Sequence, residues 1–358
     1  MKITVVCDAF GSDYNRTAVA TNSLIRSMRR RGHEVVVVCP DEAKAGREGY
    51  VFISRRGTGK FGSEKETLEN VIWDSDAVHI MTASALGIAA VRLCRQHLIP
   101  VSADFCAQAD DSAAAHIGAA NDVMYRRLYA SLYRFADAVR YPTELSREVF
   151  EKSVGHTTNA YIIPNGVDGS FRPNGARKPP ELRNKFIILY CAAYSRGNGH
   201  SVLIDAVGLS KYSSKIQLIL SGSGPLKNGL KKQGDKLKNK PILADYPYSQ
   251  LSNLYNYADL YVDPAHVDLD AASCMEALAC GLVSLIADSL RNAAKSLAPD
   301  AYYLFESRNA KALANKIDRI IEYPDVLEVN RKKSRRIVGE FSHDACMDRV
   351  EKMLYAIR

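Results

Sequence analysis

The stretch "TAVATNSLIRSMRRRGHEVVVVCP", residues 17–40, decides the fold. Its first part reads as an amphipathic helix closed by Gly32, since glycine takes the left-handed conformation that ends a helix without penalty. The run "HEVVVVCP" that follows is almost wholly apolar, as in a strand buried on both faces of a parallel sheet. Before the helix stands another apolar run, "KITVVCDAF", too short for a secretory leader and read as the first strand. Strand, helix and buried strand in succession define one βα unit, and the chain repeats it. "SEKETLENVIWDSD" is helical with a capping-box pattern at Ser63 and Glu66. "AVHIMT", "PVSADF", "AVRYPT" and "NAYIIPNGVD" read as strands, separated by the helices "SALGIAAVRLCRQHL", "NDVMYRRLYASLYRFAD" and "TELSREVFEKSV". Regular alternation of this kind predicts a doubly wound parallel α/β sheet.

Residues 165–185, "NGVDGSFRPNGARKPPELRNK", gather Gly, Pro, Asn and charge and read as a linker. Beyond it the pattern restarts with the strands "FIILYCAAY", "IQLILSGSGP", "PILADY", "DLYVDPA" and "LVSLIAD", with helices filling the remainder. A chain of 358 residues exceeds what one core usually supports, which agrees with two domains. The expected division is 1–168 and 169–340, with a C-terminal helix, 341–358, returning to the first domain. Ligands of open α/β sheets bind in the crevice outside the carboxyl ends of the strands, so the functional residues are sought there.

Eight cysteines are scattered without a CxxC pair, mostly inside apolar runs, which argues for a reducing compartment and against a zinc or disulfide framework. No apolar run reaches the ~20 residues that span a bilayer. A cytoplasmic protein is expected, peripheral to the inner face of the membrane if it touches one. The net charge of +8 suits anionic small molecules, an anionic membrane surface or nucleic acid alike. Tyr125, Tyr129 and Tyr133 recur at helical spacing with Arg126, Arg127, Arg134 and Arg140 around them. The pattern fits a helix on an anionic membrane surface or a core face. The basic run "KNGLKKQGDKLKNK" is a solvated face, and no DNA- or RNA-binding motif accompanies it, so no nucleic-acid partner is expected.

Three places offer chemistry. The corner "ILYCAAYSRGNGHSVLIDAV", residues 188–207, is a strand–turn–helix of the kind that holds a phosphate, yet its turn has one Arg and no Lys. The turn "SGSGP", with Gly222 and Gly224, allows close approach of a ligand to backbone or is a plain tight turn. It matches neither GxGxxG nor a P-loop. In "VDLDAASCMEALACGLVSLIADS", Asp268 and Glu276 are eight apart. A carboxylate there could take paired sugar hydroxyls. Alternatively, Asp268 and Asp270 favour a helix N-terminus while Glu276 is solvated.

Together these residues resemble a family-4-type glycosyltransferase of the GT-B fold, two Rossmann-like domains facing each other across a cleft. The resemblance spans nearly the whole chain. It rests on "GSDYNRT" with "GHEVVVVCP", on "DAVHIMTASALGIAAVRL", on "YIIPNGVDGSFRP", and on "SGSGP" with "D-x7-E-A-L-A-C-G-L-V". The subgroup it is most similar to comprises bacterial enzymes that glycosylate diacylglycerol, which share the "YNxT", "QAxD/N" and "YPTE" segments. The resemblance implies retaining transfer of a hexose from a nucleotide-sugar, usually a UDP-sugar, to a lipid or glycan acceptor, with no metal and no cofactor. Glu276 then matches the carboxylate that holds the donor ribose, and Asp268 the position, usually Glu, beside the transferred sugar. Gly222 and Gly224 match the turn near base and diphosphate, and Asn165 and Gly166 the inter-domain turn.

The chain departs from the family pattern at several donor positions. Arg16 stands in the first loop where a Gly is usual, and Cys106 where a His contacts the donor sugar. Ala193 and Asn198 occupy the positions of the Arg and Lys that neutralise the leaving diphosphate. Arg16 and Arg196 lie one to three residues from missing groups and are candidate substitute cations. Two readings follow: an active glycosyltransferase using those arginines, or a catalytically silent homologue that binds a nucleotide, a lipid surface or an active paralogue. A nucleotide-sugar 2-epimerase would share the architecture, but "IPNGVD" and "EALACG" point away from it.

Overall fold

The computed structural model describes all residues except 9, 11, 45, 54–63, 106–129, 158, 326–330, 332 and 334. The chain divides into two compact units, Met1–Asn165 with Asp344–Arg358, and Gly166–His343.

The first unit is built on seven strands: β1 Lys2–Val6, β2 Glu34–Cys39, β3 Tyr50–Phe52, β4 Ala77–Ile80, β5 Val101–Asp104, β6 Ala138–Tyr141 and β7 Ala160–Ile162. Their order is β3-β2-β1-β4-β5-β6-β7, and every pairing is parallel. The run "EVVVVC" lies beside β1, with Val36 opposite Thr4 and Val38 opposite Val6. Helix α1, Arg16–Arg30, connects them and starts at an N-cap, Asn15, whose side chain accepts from the Ala18 amide. Helices α2 (Glu64–Trp73), α3 (Ala85–His97) and α4 (Glu144–Val154) complete the described crossovers. The Thr143–Ser146 capping box opens α4. Ser63, read as the cap of α2, lies outside the described residues. The last helix, residues His343–Ile357, inserts Cys346, Met347, Val350, Met353 and Leu354 among Ile3, Val5, Leu24 and Val37. His33 Nε2 meets Glu351 Oε1 at 2.7 Å on its flank.

The second unit has six parallel strands in the order β10-β9-β8-β11-β13-β15. These are β8 Phe186–Cys191, β9 Ile216–Ser221, β10 Ile242–Ala244, β11 Leu260–Asp263, β13 Ser284–Asp288 and β15 Leu304–Glu306. A separate two-stranded piece pairs β12, Val267–Asp268, with β14, Arg291–Asn292. Helices α5 (His200–Leu209), α6 (Lys227–Gly234), α7 (Tyr248–Tyr257), α8 (Ala272–Ala279) and α9 (Ala310–Glu322) connect them. Both sheets therefore have the mixed α/β architecture the sequence predicts. Two edge strands, β3 and β15, have no counterpart in the sequence reading, nor does the β12–β14 piece; helices do not fill the whole remainder of the chain. In each sheet the strand order reverses once, between β1 and β4 and between β8 and β11, and ligands favour that switch point at the strands' carboxyl ends.

Candidate functional site

At the switch point of the second unit the loop after β8, residues 192–199, is held between two others. On one side it meets the glycine turn: Ala192 N donates to Ser221 O at 3.0 Å, Tyr194 N to Ser223 O at 2.8 Å, and Leu226 N to Tyr194 O at 3.2 Å. Tyr194 is fully buried, its hydroxyl donating to Leu220 O at 2.8 Å. Gly222 and Gly224 have φ of +153° and +149°. A Cβ on Gly224 would stand 2.8 Å from Tyr194 O and 2.9 Å from Tyr194 N, and one on Gly222 would overlap Ala192 O. Close approach of two backbones alone requires both glycines, whatever they also offer a ligand. Gly224→Ala should cost about 2–4 kcal/mol of stability, through strained φ and a forced separation of the loops. Urea unfolding reads it, and a loss below 0.5 kcal/mol would show that the loops part freely.

On its other side the loop meets the one after β11, where His266 N donates to Gly197 O at 2.8 Å. Ala193 and Asn198, five residues apart, close on each other across the turn: Asn198 Nδ2 donates to Ala193 O at 2.8 Å. Arg196 is exposed and opens the 3-10 turn Arg196–Asn198. The corner is thus a compact turn with one long cation at its surface.

Asp268 ends β12, and its Oδ1 accepts from the amides of Asp270 at 3.1 Å and Ala271 at 3.0 Å. Asp270 Oδ1 accepts from Ala272 N at 3.1 Å, the first amide of α8. Both aspartates therefore serve the helix N-terminus, as the plain reading of the spacing expects. Glu276 does not follow that reading. It is 4% exposed, and Tyr255 donates its hydroxyl to Glu276 Oε2 at 3.0 Å. Burial, together with the neighbouring Asp263, raises the Asp268 carboxyl to about 6.

Asp263, at the end of β11, is 2% exposed and accepts from Ala265 N at 3.0 Å. Burial raises its pKa from 3.8 to about 6, helped by Asp270 and opposed by Ala265 N–H and Asn292. The folded chain thus binds more protons than the unfolded one between about pH 4 and 6, so this group's contribution to stability falls as pH rises through that window. Asp263→Asn keeps the acceptor oxygen and removes the charge. Relative to the parent it should gain about 2 kcal/mol between pH 4 and pH 7. Unfolding at both pH values gives the difference, and a pH-independent one would show that Asp263 ionises normally.

In the first unit Arg16 is half-buried at the start of α1. Cys106 lies outside the described residues, as do Tyr125, Tyr129, Arg126 and Arg127. Tyr133 is 3% exposed, packed on Phe105 and Phe150, with its hydroxyl donating to Asp104 O at 3.0 Å. It belongs to the core and faces no membrane. Arg140, read from sequence with the same surface, is 2% exposed within β6. Its guanidinium donates to Asp104 Oδ2 at 2.8 Å, to Ile163 O at 2.9 Å, to Pro164 O at 3.0 Å and to Asn165 Oδ1 at 2.6 Å. His79 Nε2 lies 3.1 Å from Asp104 Oδ1, and its Nδ1 is 2.8 Å from Ser102 Oγ. Burial pushes the Asp104 carboxyl up, but Arg140 and His79 outweigh it and hold the pKa below its usual value. This buried network fixes the turn at Asn165. The available signal was a His, an Asp and an Arg inside the apolar runs "AVHI", "VSAD" and "AVRY".

Among the described residues no group of three or more His, Cys, Asp or Glu is placed to hold a metal ion. Nor is any described helix long and apolar enough to cross a membrane.

Family models place the chain. "Glycosyltransferase Family 4" matches residues 17–171 and "Glycosyl transferases group 1" matches residues 172–338. The chain belongs to the family-4-type glycosyltransferases of the GT-B fold. It is 22% identical to alpha-monoglucosyldiacylglycerol synthase of Streptococcus pneumoniae, over 78% of this chain and 70% of that one. In fold it is similar to Anabaena Alr3699/HepE solved with UDP-glucose, at a TM-score of 0.80 and 16% identity over 99% of this chain and 100% of the other. A sucrose-phosphate synthase from Thermosynechococcus elongatus gives a TM-score of 0.77 at 16% identity, covering 100% of both chains.

Proposed function

We propose that the protein transfers a hexose from a UDP-sugar to a lipid or glycan acceptor, with retention at the anomeric carbon. The observation that carries this reading is the convergence, at one switch point, of the glycine turn, the loop after β8, Asp268 and the helix bearing Glu276. The curated relative's name, a monoglucosyldiacylglycerol synthase, supports a lipid acceptor, and the HepE complex supports a UDP-sugar donor. Glu276 would hold the ribose hydroxyls, pre-oriented by Tyr255, and Asp268 would face the transferred sugar. Gly222 and Gly224 would bring backbone amides to the base and diphosphate. As the bond from the anomeric carbon to the diphosphate breaks, negative charge builds on UDP, and fixed cations must meet it. With a lipid acceptor, the protein would work at the inner face of the membrane.

One observation favours a second reading. Ala193 and Asn198, where the family pattern has Arg and Lys, bond to each other across the turn. A silent homologue serving an active paralogue would look this way. A screen of nucleotide-sugars against diacylglycerol and glycan acceptors separates the two. Transfer of one sugar supports the enzyme; neither transfer nor donor hydrolysis, with weak donor binding, supports the silent homologue.

A further inference from the structure

Arg196, the substitute cation suggested by the sequence, has basic neighbours that the sequence does not reveal. Four adjacent strands of the second sheet, β8, β11, β13 and β15, are each followed within five residues by a basic residue: Arg196, His266, Arg291 and Arg308. His266 is the hub of these loops. Its amide donates to Gly197 O at 2.8 Å, and its Nδ1 lies 3.3 Å from both Ser307 Oγ and Ser289 Oγ. Ser289 Oγ also donates to His266 O at 2.7 Å and accepts from Arg291 N at 3.2 Å. Arg196 and Arg308 are therefore each next in sequence to a residue that touches His266. Both are exposed, and neither makes an ion pair among the described residues. The carboxylates that end β13 and β15 have partners of their own, Asp288 with Lys295 at 2.5 Å and Glu306 with Asn309 Nδ2 at 2.6 Å. Burial lowers the His266 pKa, and the nearby Arg308 and Arg291 lower it further. An anion gains most where like charges stand together.

We propose that Arg196, His266 and Arg308 form a phosphate-binding site at this edge of the second unit, replacing the two cations absent from the loop after β8. The class of ligand is a diphosphate or a phosphomonoester. Its identification with the diphosphate of a nucleotide-sugar rests on the function proposed above. A second source of the same chemistry is a phosphate borne by the acceptor.

The test is titration calorimetry at fixed ionic strength with inorganic pyrophosphate, UDP and uridine. The parent protein should bind pyrophosphate and UDP, and uridine at least tenfold more weakly than UDP. Arg308→Gly should weaken pyrophosphate at least tenfold with an unchanged or higher thermal midpoint, because Arg308 has φ of +64°, a conformation glycine adopts freely. Arg196→Gln should act likewise. A paired Lys231→Gln and Lys232→Gln change on the exposed basic helix should leave the affinity as it was. Pyrophosphate binding lost in both arginine variants, in a protein that ignores UDP, would uphold the site, sink the UDP-sugar reading and point to a phosphate on the acceptor. UDP and pyrophosphate binding unaltered in both variants, or lost instead in the lysine variant, would overturn the site while leaving a UDP-sugar donor intact. Absence of pyrophosphate binding to the parent would overturn it as well.

Discussion

Arg140→Leu is expected to destabilise the first unit by about 3–5 kcal/mol, because it leaves Asp104 ionised and buried with its main counter-charge gone. Arg140 is 2% exposed and Asp104 6% exposed, so no solvent replaces the lost guanidinium. The change also leaves Ile163 O, Pro164 O and the Asn165 side chain short of a donor. Each unmet buried acceptor adds to the loss. His79 Nε2, 3.1 Å from Asp104 Oδ1, remains as the carboxylate's other polar neighbour but reaches none of the oxygens that Arg140 served. The double variant Arg140→Leu with Asp104→Leu should recover much of the stability, since apolar replacements of a buried ion pair are often neutral or better. Trp73, the single tryptophan, meets His97 edge to face at 5.1 Å within the first unit. Its fluorescence during urea unfolding therefore reports this unit alone. A loss below 1 kcal/mol in the single variant, or a double variant no better than the single, would show that the network is structurally idle.

The second large effect concerns the loop after β8. Ala193→Arg combined with Asn198→Lys should raise sugar transfer on the order of 10²–10³-fold, as one fixed donor to a developing anion is worth about 3–4 kcal/mol. Ala193 is exposed, so a long side chain enters without displacing the core. The amide bridge from Asn198 to Ala193 is lost, but the turn keeps the Ser195 N to Ala193 O bond at 2.8 Å and the Gly197 contact to His266. Single-turnover rates with a UDP-sugar measure the gain. An unchanged rate alongside unchanged donor affinity would mean that these positions do not face the diphosphate.

The strands that could be read from sequence were those with unbroken apolar runs. "EVVVVC", "FIILYC" and "IQLILS" fill interior places, burying four, five and six of their six positions. The missed strands sit at edges or outside the main sheets. "YVF" is only half-buried along its length, and "LFE" buries one residue of three, so neither leaves a hydrophobic signature. "VD" and "RN" are two residues each, held by loop geometry that no window of residues reveals.

The site was legible in a different way. Helical spacing alone leaves Tyr133 on a membrane-facing or a core face, and packing against Phe105 and Phe150 puts it in the core. Spacing likewise left Glu276 solvated or functional, and burial beside Tyr255 removed the first option. Arg140 was read as surface because arginine usually is; only the Asp104 carboxylate on the next strand explains its burial.

The central claim is that this member of the glycosyltransferase family still uses a UDP-sugar. Calorimetric titration of the intact chain with UDP-glucose, UDP-galactose and UDP tests it most directly. A dissociation constant in the micromolar range for UDP and at least one of the sugars, weakened by Glu276→Gln, is the expected result. Absence of heat with all three at millimolar ligand would contradict it and leave the silent homologue as the function.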